Sequence, residues 1–134
     1  MSRVHSFSGE LQIVGIPLFY QGIATGDGLV IIVTGGDREH LGAVAWAQPR
    51  PSLRGEGASA DVSLLVRPGH RDDELARQLG KELAMNLEEP LLLTVGIHVD
   101  QIAPSQIAAL LEATPTLAQV IRAAYLDQVI KKRP

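Results

Sequence analysis

The stretch Leu-Val-Ile-Ile-Val-Thr, from Leu29 to Thr34, decides the predicted fold. It is apolar up to its last residue, rich in β-branched side chains and too short for a helix, so it is typical of a strand inside a sheet. A second apolar run, from Leu91 to Val99, comes much later in the chain. It predicts another buried strand, so we expect a sheet with at least two central strands.

Weaker strand signals surround these two runs. Leu11 to Ile23 is apolar but interrupted by glycine and proline, and it predicts either one bent strand or a pair of strands. Gly42 to Ala47 follows a glycine turn, and the short spacing favours an antiparallel, hairpin-like return over a helical crossover. Gln48 to Ser59 is rich in Pro, Gly and Ser and predicts an exposed loop. Ser59 to Val66 then alternates as a strand does.

Helical periodicity begins at Asp72 and returns near the end of the chain. Acidic residues open the first helix, where the dipole favours them, and further helices are predicted from Pro104 and from Thr114. This order predicts an α+β fold with two layers, a mostly antiparallel β-sheet with helices on one face. We interpret residues 1–134 as one domain. Because its helices cover only one face of the sheet, we also expect a homodimer.

The composition excludes several classes of function. The chain has 134 residues, a formal net charge of −3 and no cysteine, which excludes disulfides, thiol nucleophiles and cysteine-ligated metals. Because the net charge is negative, no basic groove for nucleic acid is expected. Aromatic residues are only 4% of the chain, so no stacking platform for bases is expected either. No apolar run approaches the ~18 residues of a membrane span, and no signal peptide is visible. We therefore expect no membrane partner and a cytoplasmic location.

Polar residues follow the first central strand. The stretch Thr34 to Gly42, Thr-Gly-Gly-Asp-Arg-Glu-His-Leu-Gly, has glycines whose N–H groups can converge on an anion, and Arg38 can add a bond to a phosphate. Its spacing matches neither the phosphate-binding loop nor the dinucleotide fingerprint. The simpler interpretation is a glycine turn between two strands, with its charged residues in water.

Polar residues also follow the second central strand, from Gly96 to Ile102. His98 and Asp100 share one face of an extended chain, so His98 can act as a base, hydrogen-bond donor or metal ligand, although a structural histidine is the simpler interpretation. His40 and His98 could supply two metal ligands, but no spacing indicates a third, and no metal is predicted. His70 is explained by its position at the start of a helix.

Taken together, the two polar stretches resemble the prenylated-flavin chaperone-like family. The resembling pattern is Val-Thr-Gly-Gly, three variable residues, His, an aliphatic residue and Gly, which is Val33 to Gly42 here. It continues with Gly-Ile-His-Val, an acid or amide, and Gln-Ile, which is Gly96 to Ile102 here. The resemblance covers about half of the chain. The first strands, the proline-rich segment and the basic tail depart from the pattern.

The resemblance implies a binding protein without catalytic activity. The family is typified by the small third subunit of gallate and related hydroxyarylic acid decarboxylases, and its fold is similar to that of proteasome-assembly chaperones. It implies binding of prenylated FMN, or FMN, and help in its delivery to, or in the assembly of, the large subunit of a UbiD-type decarboxylase. The cofactor-binding residues it points to are Thr34, Gly35, Gly36, His40, His98 and Gln101, and Arg38 joins them as the candidate phosphate contact.

Two other classes of function stay open. In one, the chain is a small enzyme in which His40 or His98 acts as general base beside Glu39 or Asp100. In the other, it is an assembly chaperone without a cofactor, in which the glycine turns are structural and an exposed apolar face binds a protein.

The positions of the two polar stretches lead to two further expectations. Because both leave central strands, Thr34 to Gly42 and Gly96 to Gln101 should lie side by side at one end of the sheet. If the glycine turn holds a phosphate, Gly36→Val should weaken flavin binding without unfolding the protein.

Overall fold

A six-stranded sheet and three α-helices make up the described part of the chain. The structure, a computed structural model, describes residues 5–68 and 72–133, so the expected position of His70 lies outside it. The α+β prediction is confirmed. The elements are β1 (His5–Ile13), β2 (Ile16–Ala24), β3 (Leu29–Gly36), β4 (Arg38–Pro51), β5 (Ala58–Val66), α1 (Asp73–Leu87), β6 (Leu91–His98), α2 (Pro104–Glu112), α3 (Thr114–Gln128) and a 3₁₀ turn (Ile130–Lys132).

The strand order places the two long apolar runs in the centre. It is β1-β2-β3-β6-β4-β5, with β3 and β6 parallel and the other neighbours antiparallel. Both central strands are therefore where the sequence predicts them. The chain returns from β3 to β4 in the antiparallel direction without a helical crossover, as predicted, but the two strands do not pair as a hairpin, because β6 inserts between them. This arrangement gives each apolar central strand a neighbour on both edges, to which its backbone N–H and C=O groups can bond.

Two segments whose sequence was ambiguous resolve into strands. Leu11 to Ile23 belongs to a β1–β2 hairpin, and its turn residues Val14 and Gly15 both have positive φ, as a tight hairpin turn requires. The loop expected from Gln48 to Ser59 is shorter than predicted, covering residues 52–57, because β4 continues to Pro51 and β5 already begins at Ala58. β4 pairs with β6 only up to Ala47. Pro49 and Pro51 come after this point, where the edge of β4 that faces β6 has no neighbour and needs no N–H donor.

The helices pack on one face of the sheet. Helix α1 lies over β4, β5 and β6, where Ala43, Ala45 and Ala47 are fully buried. A Cβ added at Gly80 of α1 would lie 3.2 Å from the Cβ of Ala45, so glycine allows the helix to approach this surface closely. The opposite face carries large apolar side chains that remain partly exposed, among them Ile32.

Candidate functional site

The turn between β3 and β4 wraps around the end of β6. The Asp37 N–H donates to the carbonyl oxygen of His98 at 2.6 Å, and the Asp100 N–H donates to Asp37 Oδ2 at 2.7 Å. Gly36 and Arg38 are the register partners of His98 on its two sides. The two polar stretches therefore lie side by side at one end of the sheet, which confirms the sequence prediction.

Glycine is required at this turn for close approach of the backbone. Gly36 has a φ of +78°, and a Cβ there would overlap the carbonyl oxygen of His98. A Cβ at Gly35 would overlap the carbonyl oxygen of Pro17 in the same way. The expectation that Gly36→Val leaves the fold intact is therefore wrong, since the added side chain would collide with a backbone atom that cannot easily move.

A buried carboxylate joins three elements next to this turn. Asp72 is only 7% exposed, and its Oδ2 lies 2.9 Å from Nε2 of His40. Its Oδ1 accepts the Ile97 N–H at 3.1 Å. Asp72 thus links β4 and β6 to the start of α1. The carboxylate beside His40 is Asp72 and not Glu39, and sequence reasoning missed it because acids are common at the start of any helix.

Two glycines of the family-like pattern make room for this pair. A Cβ at Gly42 would overlap Asp72 Oδ2, and a Cβ at Gly96 would overlap the carbonyl oxygen of His40. Both positions therefore have to lack a side chain for His40 and Asp72 to meet at the end of β6.

His98 faces two competing partners. Its Nε2 lies 2.9 Å from Asp100 Oδ1 and 3.1 Å from an Arg38 guanidinium nitrogen. A single ring nitrogen has either a proton or a lone pair, so it donates to Asp100 in one state and accepts from Arg38 in the other. The rings of His40 and His98 are edge-on with centroids 6.0 Å apart, so both histidines belong to one site.

These groups form the polar end of a cavity of about 650 Å³. This volume is within the range of roughly 300–1,000 Å³ that small-molecule sites occupy. The polar end contains His40, Asp72, Asp73, Glu74 and His98; the apolar wall contains Leu75, Ile97, Val99, Ile102, Ile107, Leu110 and Leu111. The cavity is amphipathic, and its wall is aliphatic.

The acidic end of the cavity holds a negative charge at the start of α1. The hydrogen bond from Arg77 is the largest cause that lowers the pKa of Glu74, and a second bond from Gln78 at 2.8 Å acts in the same direction. Glu74 is therefore ionised at neutral pH. Glu74 forms an ion pair with Arg77, and Arg38 is a second cation, beside His98, that could attract an anionic group of a ligand.

The predicted site residues divide into two groups. His40 and His98 line the cavity, and Arg38 reaches its edge through His98. Thr34 is on the face of the sheet away from the helices, and Gln101 is exposed, with a φ of +54°, outside the cavity lining. The aliphatic wall from α2 was not predicted, because its spacing is also that of an ordinary core helix.

The described residues give no sign of a metal centre or a membrane span. Within residues 5–68 and 72–133, no three His, Cys, Asp or Glu side chains converge closely enough to hold a metal ion. None of the helices in these ranges is long and apolar enough to cross a membrane.

Comparison with known proteins places this chain in a family. The profile of the prenylated flavin chaperone LpdD-like domain matches residues 14–125, a range that contains β2 to β6, the three α-helices up to Tyr125, and every cavity-lining residue. This chain belongs to the LpdD-like family. Protein LpdD of Lactiplantibacillus plantarum is 32% identical over 95 residues, which cover 69% of this chain. The match spans 65% of that LpdD protein's own length.

Proposed function

We propose that this protein binds prenylated FMN in the cavity between α1, α2 and the end of the sheet, and delivers it to a UbiD-type hydroxyarylic acid decarboxylase. The observation that supports the proposal most strongly is the amphipathic cavity, about 650 Å³ in a chain of the LpdD-like family. Catalysis belongs to the decarboxylase, which uses the chemistry of the flavin after transfer. The chaperone itself binds the prenylated FMN, shields it from water and releases it to the decarboxylase.

The aliphatic wall suits the ring system of a prenylated flavin. A flat aromatic ring extended by an apolar prenyl-derived ring buries carbon on both faces, and Ile102, Ile107 and Leu110 offer carbon without polar groups. An aromatic stacking platform would bind such a ring more strongly. A wall built from aliphatic side chains supports binding that can be reversed, which a delivery protein needs.

The polar end suits the heteroatoms and the phosphate. His40, oriented by Asp72, and His98 can donate or accept hydrogen bonds at the ring edge. The phosphate would point towards Arg38 and away from the ionised Glu74. The Asp37 N–H already donates to the carbonyl oxygen of His98, so the glycine turn offers fewer N–H groups to an anion than its sequence indicates.

A small enzyme is the second candidate, because two histidine–carboxylate pairs adjoin one cavity. Nε2 lies 2.9 Å from a carboxylate oxygen in both His40–Asp72 and His98–Asp100. Either pair could serve as a general base. The two candidates differ in whether the protein alone converts a hydroxyarylic acid, and in whether it is needed once the decarboxylase holds its cofactor.

A binding titration tests the cavity. Prenylated FMN and FMN are titrated anaerobically into the protein while flavin absorbance and fluorescence are followed. Ile107→Glu puts a charge on the apolar wall at a position that is already partly exposed, and it should weaken binding of prenylated FMN by about tenfold or more. Leu53→Glu, on an exposed loop residue outside the cavity, is the matched control and should bind as the unaltered protein does.

A loading assay tests delivery. Decarboxylase without cofactor, prenylated FMN and each variant are mixed, and the appearance of activity is followed with time. His98→Ala should slow loading, since it removes a hydrogen bond worth roughly 0.5–1.5 kcal/mol, whereas Gln101→Ala should not. If Ile107→Glu and His98→Ala both load the enzyme at the unaltered rate, the cavity is not the delivery site. Turnover of substrate by this protein alone would favour the enzyme.

A further inference from the structure

His98 lies between two side chains of opposite charge at the edge of the cavity. Its Nε2 is 2.9 Å from Oδ1 of Asp100 and 3.1 Å from a guanidinium nitrogen of Arg38. A guanidinium only donates hydrogen bonds and an ionised carboxylate only accepts them, so Arg38 requires a lone pair on Nε2 and Asp100 requires a proton there. In either state of His98, one of its two partners faces the wrong kind of atom.

His40 provides a contrast within the same cavity. Its carboxylate partner Asp72 is only 7% exposed, and Oδ1 of Asp72 is fixed by the Ile97 N–H. The partners of His98 are both exposed to water, and the side chain of Asp100 is 71% exposed. The bond between His40 and Asp72 is therefore built into the fold, whereas the contacts of His98 can exchange.

Arg38 is the partner of His98 that can leave. Asp100 comes two residues after His98, and its N–H donates to Oδ2 of Asp37 at 2.7 Å, so the backbone of Asp100 is anchored to the turn. Arg38 is the register partner of His98 on β4 and carries a long side chain with several rotatable bonds. An anion offers this guanidinium charge-assisted hydrogen bonds, which are stronger than a bond to a neutral ring nitrogen.

We propose that Arg38, His98 and Asp100 form an anion site whose occupancy is coupled to protonation of His98. An anionic ligand group takes the guanidinium of Arg38 away from Nε2. Nε2 then takes up a proton from water, and the resulting imidazolium donates to Asp100. Arg38 contacts the anion, whereas His98 and Asp100 act as positioning residues. The inference rests on the proposed function for its natural ligand, which is then the phosphate of prenylated FMN.

Anion binding and protonation of His98 strengthen each other in this arrangement. If the bound anion raises the affinity of His98 for a proton, a proton on His98 must raise the affinity for the anion by the same factor. Imidazole is the side chain that changes its charge between about pH 5 and 8. Binding of the anion should therefore become stronger as the pH falls through this range, and loss of the proton should favour release.

Other charged groups surround the anion site. The described ionisable side chains near it come from β4, the β3–β4 turn and the start of α1, and are His40, Glu39, Asp37, Asp72, Asp73 and Glu74. Carboxyl groups ordinarily titrate below this pH range, and as carboxylates they favour the imidazolium. His40 is an imidazole like His98, with ring centroids 6.0 Å apart, so the test has to observe the His98 ring itself.

Sulfate is the probe for the anion site. Its charge is constant over this pH range, whereas a phosphate monoester loses its second proton near pH 6. Nitrogen-15 NMR of the His98 ring distinguishes a protonated Nε2 from one with a lone pair. At about pH 7, sulfate should increase the fraction of His98 with a protonated Nε2. Sulfate should also bind about tenfold more weakly at about pH 8 than at about pH 6.

Three variants assign the effect to the anion site. Arg38→Met should abolish sulfate binding and the change at Nε2. Asp100→Asn should reduce the pH dependence to about twofold, because an amide oxygen accepts the hydrogen bond but does not stabilise the imidazolium charge. Arg54→Met, on the exposed loop of residues 52–57, is the matched control and should leave both effects unchanged. Circular dichroism verifies folding, and Arg38→Gln replaces Arg38→Met if that variant does not fold.

Sulfate that binds equally well at both pH values, or that leaves the lone pair on Nε2, would overturn the anion site. So would an unchanged response in the Arg38 variant, or no binding of sulfate at all. The flavin titration separates this result from the proposed function. If prenylated FMN does not bind while sulfate shows the coupling, the proposed function fails and the anion site stands. If prenylated FMN binds and sulfate shows no coupling, only the anion site fails.

Discussion

The strand-end site and the face of the sheet away from the helices, called the open face, belong to the same sheet but differ in how closely they are packed. At the strand end, four glycines have no room for a Cβ, and hydrogen bonds of Asp37 hold the turn to the end of β6. On the open face, large apolar side chains such as Trp46 and Ile32 remain partly exposed. The strand end is therefore closely packed within the fold, whereas apolar side chains of the open face remain partly exposed to water.

The largest effect that would sharpen this comparison is expected at the turn. Gly36→Val combines a strained positive φ with overlap of the His98 carbonyl oxygen, and should lower the free energy of unfolding by about 3–5 kcal/mol in urea denaturation. Gly55→Val is the matched control, because Gly55 also has a positive φ but no atom within 4 Å of an added Cβ. It should cost only about 1–2 kcal/mol. Equal costs would mean that close approach at the turn is unimportant.

The next effect concerns the carboxylate that joins the strand end to α1. Asp72→Ala removes the acceptor of the Ile97 N–H and the hydrogen bond to His40 Nε2, and should lower the free energy of unfolding by about 2–4 kcal/mol. Asp72→Asn keeps one oxygen for the Ile97 N–H and should lose about half as much. If Asp72→Ala is as stable as the unaltered protein by thermal denaturation, the strand end does not depend on this link.

Two neighbours on β3 compare the two faces of the sheet directly. Val33 is fully buried under the helices, and Val33→Ala should cost about 2 kcal/mol. Ile32→Ala, on the open face, should cost less than Val33→Ala, because Ile32 is already 37% exposed. Both are measured by urea denaturation at low concentration. A larger loss at Ile32 would break the comparison, since it would show that the monomer already covers this face.

The smallest expected effect concerns Tyr125, which lies outside both regions and affects how the free energy of unfolding depends on pH. Burial, with the hydrogen bond to Glu89 acting in the same direction, raises the pKa of Tyr125 to about 12. An acid whose pKa is raised by folding contributes stability below its unfolded pKa of about 10. This contribution is lost as the pH rises from about 10 to 12.

Tyr125→Phe should remove this part of the alkaline loss of stability, measured as the free energy of unfolding against pH. Gly36 and Asp72 variants should keep it, because Tyr125 and Glu89 lie away from the strand end. An unchanged alkaline profile in Tyr125→Phe would assign the loss to another group.

Much of the molecule could be predicted from local sequence alone. The continuous run Leu29 to Thr34 gave a central strand, and the periodicity after Asp72 gave α1, because side-chain spacing directly reflects strand and helix geometry. The adjacency of the two polar stretches was also predictable, since both leave central strands. The resemblance on those stretches pointed to the LpdD-like family, to which the chain belongs.

Tertiary structure alone decided how these elements meet. The insertion of β6 between β3 and β4 depends on pairing between residues far apart in the chain, which no local pattern records. Asp72 became the partner of His40 only when α1 packed against the sheet, and the apolar face of α2 became a cavity wall only when the helix came to face the end of β6. Local sequence sets backbone conformation and which side of each element is apolar. Burial and distance between elements come only from packing the whole chain, and these produced the site.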